Sequence, residues 1–144
     1  MSIFIASDHA GYGLKQVLLK FLKEDLLLEV VDLGCNSSRA VDYPDFAKLL
    51  VRNVKSDKEN LGILLCGTGV GMTITANRTK GIRCALCHNT EYAKLSKEHN
   101  NSNVIAMGAR FIDENSAKEI VKAWLDTDFT AGRHKKRVDL IDAD

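Results

Sequence analysis

Short apolar runs alternate with amphipathic segments along the whole chain, and this alternation most limits what it can fold into. The runs 3–7, 28–33, 62–66, 83–86 and 104–107 are almost continuously hydrophobic, the pattern of strands covered on both faces. Between them, segments 13–24, 46–54, 70–78, 91–98 and 115–125 carry apolar residues at helical spacing. In the first of these, Leu14, Val17, Leu18, Phe21 and Leu22 form one stripe. Strand alternating with helix requires crossover units and a parallel sheet. We therefore expect an α/β fold: a three-layer αβα, Rossmann-like domain with a five-stranded parallel sheet. No linker, repeat or low-complexity segment divides residues 1–144, so one domain is expected.

A chain of 144 residues can bury about 68–70% of its unfolded surface without disulfides. A net charge of +1 provides no global field to recruit nucleic acid or a membrane surface. No apolar run approaches the roughly 20 residues that span a bilayer. The opening Met-Ser-Ile-Phe-Ile-Ala lacks a basic n-region and reads as a buried strand, so a cytoplasmic protein is expected. Cys35, Cys66, Cys84 and Cys87 are then free thiols. Cys84 and Cys87 have CxxC spacing but lie in an apolar strand-like run, whereas redox pairs need an exposed sulfur at a helix start. They are expected to be buried packing residues, and no second CxxC or spaced His pair completes a zinc site.

In parallel sheets, ligands bind beyond the carboxyl ends of the strands. That rule selects Asp8-His9-Ala10-Gly11 after the first strand and Cys66-Gly67-Thr68-Gly69-Val70-Gly71 after the third. It also draws in the segments flanking the fifth strand, His99-Asn100-Asn101 and Gly108-Ala109-Arg110. Glycines at alternate positions let several N–H groups converge, and the helix that follows adds its unpaired N–H groups. The loop is not a Walker motif, since no Gly-Lys-Ser/Thr follows, and it departs from the dinucleotide fingerprint in order and position. An anion cradle and a merely structural tight turn are both open.

Cys66 stands at the rim of this loop. Free cysteines are usually inert packing residues, but a thiol facing a helix N-terminus is favoured as thiolate and can serve as base or nucleophile. Asp8-His9 fits either a helix cap or a site pair, and His99-Asn100 fits either a helix end or a site. Arg133 and Arg137, four residues apart in the basic tail 130–144, would share a helix face and grip a phosphate monoester. A solvated helix or a nucleic-acid patch are the competing interpretations, the latter weakened by Asp139, Asp142 and Asp144. Such a tail can lie across a neighbouring subunit.

Ser7–Gly11, Val41-Asp-Tyr-Pro-Asp45, Cys66–Gly71, Ala76-Asn77, Gly81-Ile-Arg83, Glu98-His-Asn-Asn-Ser-Asn-Val104 and Gly132-Arg-His-Lys-Lys-Arg-Val138 occur in that order. Together they resemble the type B ribose-5-phosphate isomerases over nearly the whole chain. The resemblance implies interconversion of ribose 5-phosphate and ribulose 5-phosphate through an enediolate, with no metal or other cofactor. By this likeness Cys66 is the base between C1 and C2, and the backbone N–H groups of Gly67, Thr68, Gly69, Val70 and Gly71 form the enediolate hole. Thr68 shuttles protons, His99 opens the furanose ring with help from Asp8, and Tyr43 lines the sugar site. His9, Arg110, Arg133 and Arg137 match phosphate ligands, and Asn77 and Asn100 bind sugar or support the loop. It also implies a homodimer, with a tetramer as the open alternative, in which His99, Asn100 and Arg110 come from the partner and the tail packs on it. A second branch of that family carries a glutamate base where this chain has Met72. Against these implications stand a six-carbon sugar phosphate isomerase, a non-catalytic phosphate- or nucleotide-binding module, and an inert domain with a nucleic-acid-binding tail.

Overall fold

Period-two alternation along three strands sorts the apolar residues into two cores, one on each face of a sheet. In the computed structural model, which describes residues 1–144, these strands are β1 (Ile3–Ser7), β3 (Leu61–Cys66) and β5 (Val104–Gly108). Ile3, Ile5, Ile63, Leu65, Ile105 and Met107 face one side, and Phe4, Ala6, Leu64, Cys66, Val104 and Ala106 face the other. The sheet is wholly parallel in the order β2-β1-β3-β5-β4, closed at its edges by the three-residue strands β2 (Val30–Asp32) and β4 (Cys84–Leu86).

Helices α1 (Tyr12–Lys20) and α5 (Glu114–Leu125) cover the first face, and α2 (Tyr43–Val54) and α3 (Val70–Ala76) cover the second. Helix α4 (Thr90–Asn100) packs beside α5 on the first face. Pro44 sits in the first turn of α2, where its missing N–H costs nothing. Trp124 of α5 is fully buried, and its indole N–H donates to Ser102 Oγ at 2.8 Å. Lys15 of α1 is also fully buried, its ammonium 2.7 and 2.8 Å from the two carboxylate oxygens of Asp32. That pair ties α1 to the end of β2, where Asp32 also accepts from the Gly34 N–H.

The expected α/β architecture is present, with two differences in extent. β2 covers only Val30–Asp32 of the expected 28–33. The Leu28 N–H is taken by Leu22 O as α1's terminal turn, Phe21–Asp25, unwinds, and Leu27 turns with φ +55°. The basic tail forms a sixth helix, α6 (Gly132–Ile141), none of whose residues is buried. It is seated on its own chain at both ends. Thr130 donates its N–H and hydroxyl to Glu98 O at 3.1 and 3.0 Å, and Asp142 accepts from the Gly81 N–H at 2.8 Å.

Candidate active site

The chain leaves β1 for β2 on one side and later adds β3 on the other. Strand order reverses there, so β1 and β3 diverge into crevice-forming loops at their carboxyl ends. The Asp8 N–H still reaches Leu65 O at 3.1 Å, and the Asp8 carboxylate accepts from the Gly11 N–H at 3.1 Å. A Cβ on Gly11 would lie 2.7 Å from the Leu65 carbonyl, so only glycine lets this turn press against β3.

After β3 the loop folds back on the thiol. Gly69 adopts φ +79° and aims its N–H at Cys66 Sγ, 3.1 Å away. Thr68 Oγ1 accepts from the Val70 N–H at 3.1 Å, which closes the first turn of α3. The N–H groups of Gly67, Thr68 and Gly71 donate to no other protein group and remain open to a ligand. Across the loop, the Arg110 guanidinium lies beside Gly67, 3.0 Å from where a Cβ would stand, and the Tyr43 ring covers Gly71. Asp8, Tyr43, Cys66, Gly67, Thr68, Val70, Gly71, Ile74 and Arg110 line a cleft of about 380 Å³. Its chemistry is that of an anion site with a thiol in its wall. His9 flanks it, with Nδ1 accepting from the Val41 N–H at 3.2 Å, which leaves the ring's donor at Nε2.

A second constellation forms elsewhere. His99, in the last turn of α4, stacks on His134 of α6 with ring centroids 4.3 Å apart and planes 17° from parallel. Loss of solvation holds the His134 imidazole below its ordinary value. The positive charges of His99, Arg133 and Arg137 act in the same direction, against Glu98. Two imidazoles and two guanidiniums thus gather on one exposed face. Helix α4 begins beyond the carboxyl end of β4 and returns to the start of β5, so His99 and Asn100 sit at the amino end of the sheet. Cys66 sits at its carboxyl end, about 16 Å of strand away at roughly 3.3 Å per residue. One chain does not bring Cys66 and His99 together, and the expectation that groups His99-Asn100 with the strand tips is corrected.

The family model for ribose/galactose isomerases matches residues 3–141. The chain belongs to this family. Among its members, ribose-5-phosphate isomerase B of Escherichia coli is 42% identical, over 98% of this chain and 94% of that one. The crystal structure of a ribose 5-phosphate isomerase from Thermotoga maritima superposes with a TM-score of 0.95 at 45% identity, covering 98% of this chain and 97% of that one. The ribose-5-phosphate isomerase B of Mycoplasma genitalium, solved with bound ribulose-5-phosphate, gives 0.93 at 43% identity, covering 97% and 93%.

Several family-derived expectations change in detail. Arg110 reaches the cleft from the same chain as Cys66, not from a partner. The Asn77 amide is occupied at the edge of β4, accepting from the Cys84 N–H at 2.8 Å and donating to Cys84 O at 2.9 Å. It acts there as a one-residue strand partner, an arrangement that supports the loop between α3 and β4. Asn100 is exposed beside a separate cavity of about 390 Å³ under α6, lined also by Asn77, Ile82, Arg83 and Cys84. Burial pushes the Cys84 thiol up to about 12 and the Cys87 thiol up to about 11, the state of inert packing residues. Met72, where the other branch has its glutamate, is fully buried among core residues. No group of three His, Cys, Asp or Glu side chains is arranged to hold a metal ion. No helix is long and apolar enough to cross a membrane. Nothing in the sequence marks His134 beyond its place inside the basic run Arg133-His-Lys-Lys-Arg137.

Proposed function

We propose that this chain interconverts ribose 5-phosphate and ribulose 5-phosphate, with Cys66 as the base. The observation that carries the proposal is the cleft thiol at 3.1 Å from the Gly69 N–H, ringed by open N–H donors and Arg110. The relative with bound ribulose-5-phosphate supports the same substrate class. A C–H beside a carbonyl is too weakly acidic to lose its proton unaided. The Cys66 thiolate takes the proton from C2 while negative charge moves onto O1, where the N–H groups of Gly67, Thr68 and Gly71 receive it. Each such donor is typically worth about 3–4 kcal/mol in a transition state. The proton returns to C1 as Thr68 relays the hydroxyl proton between O1 and O2. His9, Arg110, Arg133 and Arg137 hold the phosphate and so supply orientation remote from the reacting carbons.

Because His99, Arg133 and Arg137 lie away from Cys66 in one chain, the complete site is one shared between two copies. A two-fold interface places each copy's α4–α6 cluster over the other's cleft and makes two equal sites. Exposed Val70 and Ile74, 46% and 54% accessible beside the cleft, support an apolar contact there. His99 then faces the sugar ring, and Asp8 faces it from the cleft side. The test is ribulose 5-phosphate formation from ribose 5-phosphate by the native chain and by Cys66→Ala. We expect native activity and a fall of about 10²–10⁴-fold in a folded Cys66→Ala protein. Activity that survives the substitution removes Cys66 as base. Activity only on a hexose 6-phosphate transfers the same machinery to the longer sugar.

A further inference from the structure

His99 occupies the penultimate position of α4, a place where helices fray. No side-chain hydrogen bond restrains its ring; the 4.3 Å stack on His134 does. The position of His134 is in turn built by the backbone. Thr130 binds Glu98 O through two donors, Ala131 and Gly132 then turn with φ +50° and +47°, and His134 closes on Ala131 O at 2.8 Å. This sequence lands the first turn of α6 on the last turn of α4. At its far end α6 is held again by the Gly81 N–H on Asp142, so its register over His99 is set from both sides.

We propose that His134 is a positioning residue for ring opening, its flat face holding the His99 imidazole in the orientation that exchanges a proton with a cyclic aldose phosphate. This rests on the isomerase function proposed above. In the step served, the anomeric hydroxyl on C1 loses its proton, C1–O1 becomes a carbonyl, the C1–O4 bond breaks, and O4 takes up a proton. No electrons are exchanged with any other group. The charged and titratable neighbours of His134 are Glu98 and His99 from α4 and Arg133 and Arg137 from α6, and their balance, with lost solvation, favours its neutral form. A neutral His134 ring stacks on His99 without the like-charge repulsion that an imidazolium at this position would meet from Arg133 and Arg137.

The test separates ring opening from isomerisation by substrate. Ribose 5-phosphate is mostly cyclic, whereas its 4-deoxy analogue has no O4 hydroxyl to close the furanose and enters already open. His134→Ala and His134→Phe are compared with the native full-length protein, with thermal melting and size-exclusion mass as controls for fold and assembly. We expect His134→Ala to lower kcat/KM for ribose 5-phosphate about 10–100-fold, the scale of a small misplacement, and to leave the acyclic analogue unchanged. His134→Phe, which keeps a flat aromatic face, recovers most of the loss. An equal fall on both substrates, no fall on ribose 5-phosphate, or a Phe variant as poor as Ala overturns the positioning role. A native chain inactive on both sugars overturns the isomerase function itself, and the role of His134 with it.

Discussion

Cys66, Cys84 and Cys87 are identical in covalent chemistry, and their surroundings differ. Cys66 meets an N–H donor at the wall of a cleft. Cys84 and Cys87 are buried and held up at about 12 and about 11, chiefly by desolvation. In the unfolded chain their thiols ionise near the ordinary value of 9.0. A raised folded value means that the unfolded state releases its protons first, so the stabilising contribution is complete below pH 9 and is lost as pH climbs toward 11–12. We expect Tm to decline across this window, and Cys84→Ala, compared with native protein in melts from pH 8 to pH 11, to flatten the decline. A slope unchanged in the variant refutes the assignment. The alkaline response was not legible in the CxxC spacing itself; the apolar run around it indicated burial, which is its cause.

At the scale of elements, glycines with the same chemical freedom do opposite things depending on what stands beyond them. A Cβ on Gly108 would lie 2.6 Å from Thr68 O, because the end of β5 presses directly under the active loop. Gly108→Ala must displace that backbone. We expect it to cost about 1–3 kcal/mol in urea unfolding and to lower kcat by disturbing the donors around Cys66. Gly13, in the first turn of α1, has nothing within 4 Å of its Cβ position. Gly13→Ala is therefore expected to stabilise by about 0.5–1 kcal/mol without touching activity. A destabilising Gly13→Ala, or a silent Gly108→Ala, contradicts this account. The element pattern itself was readable because strand and helix periodicities are local. The shortness of β2 was not, since it depends on how α1 ends and on a neighbour along only one edge.

For the whole molecule, the shared site proposed above draws on both ends of the sheet. This predicts complementation between dead chains. Cys66→Ala and His99→Gln are each expected to be inactive alone. Mixed and re-equilibrated, half of the dimers are hybrids, and each hybrid owns one site with both residues intact. About a quarter of native activity should return in a two-fold dimer; none returns if each chain works by itself. By itself, the sequence determined the parallel sheet, its five strands, the glycine loop and the placing of Asp8 and Cys66 at strand tips, while the adjacency of those two strands came from the structure. The features read from the sequence follow from short-range periodicity and from the rule that parallel strands carry loops at their carboxyl ends. Only the tertiary structure decided that Arg110 shares a cleft with Cys66 and that Asn77 serves the β4 edge. It alone set α6 on Glu98 and Gly81 and brought His134 onto His99. Those contacts are polar, few and distant in sequence, so no periodic pattern records them, and they exist only once the helices have been packed in place.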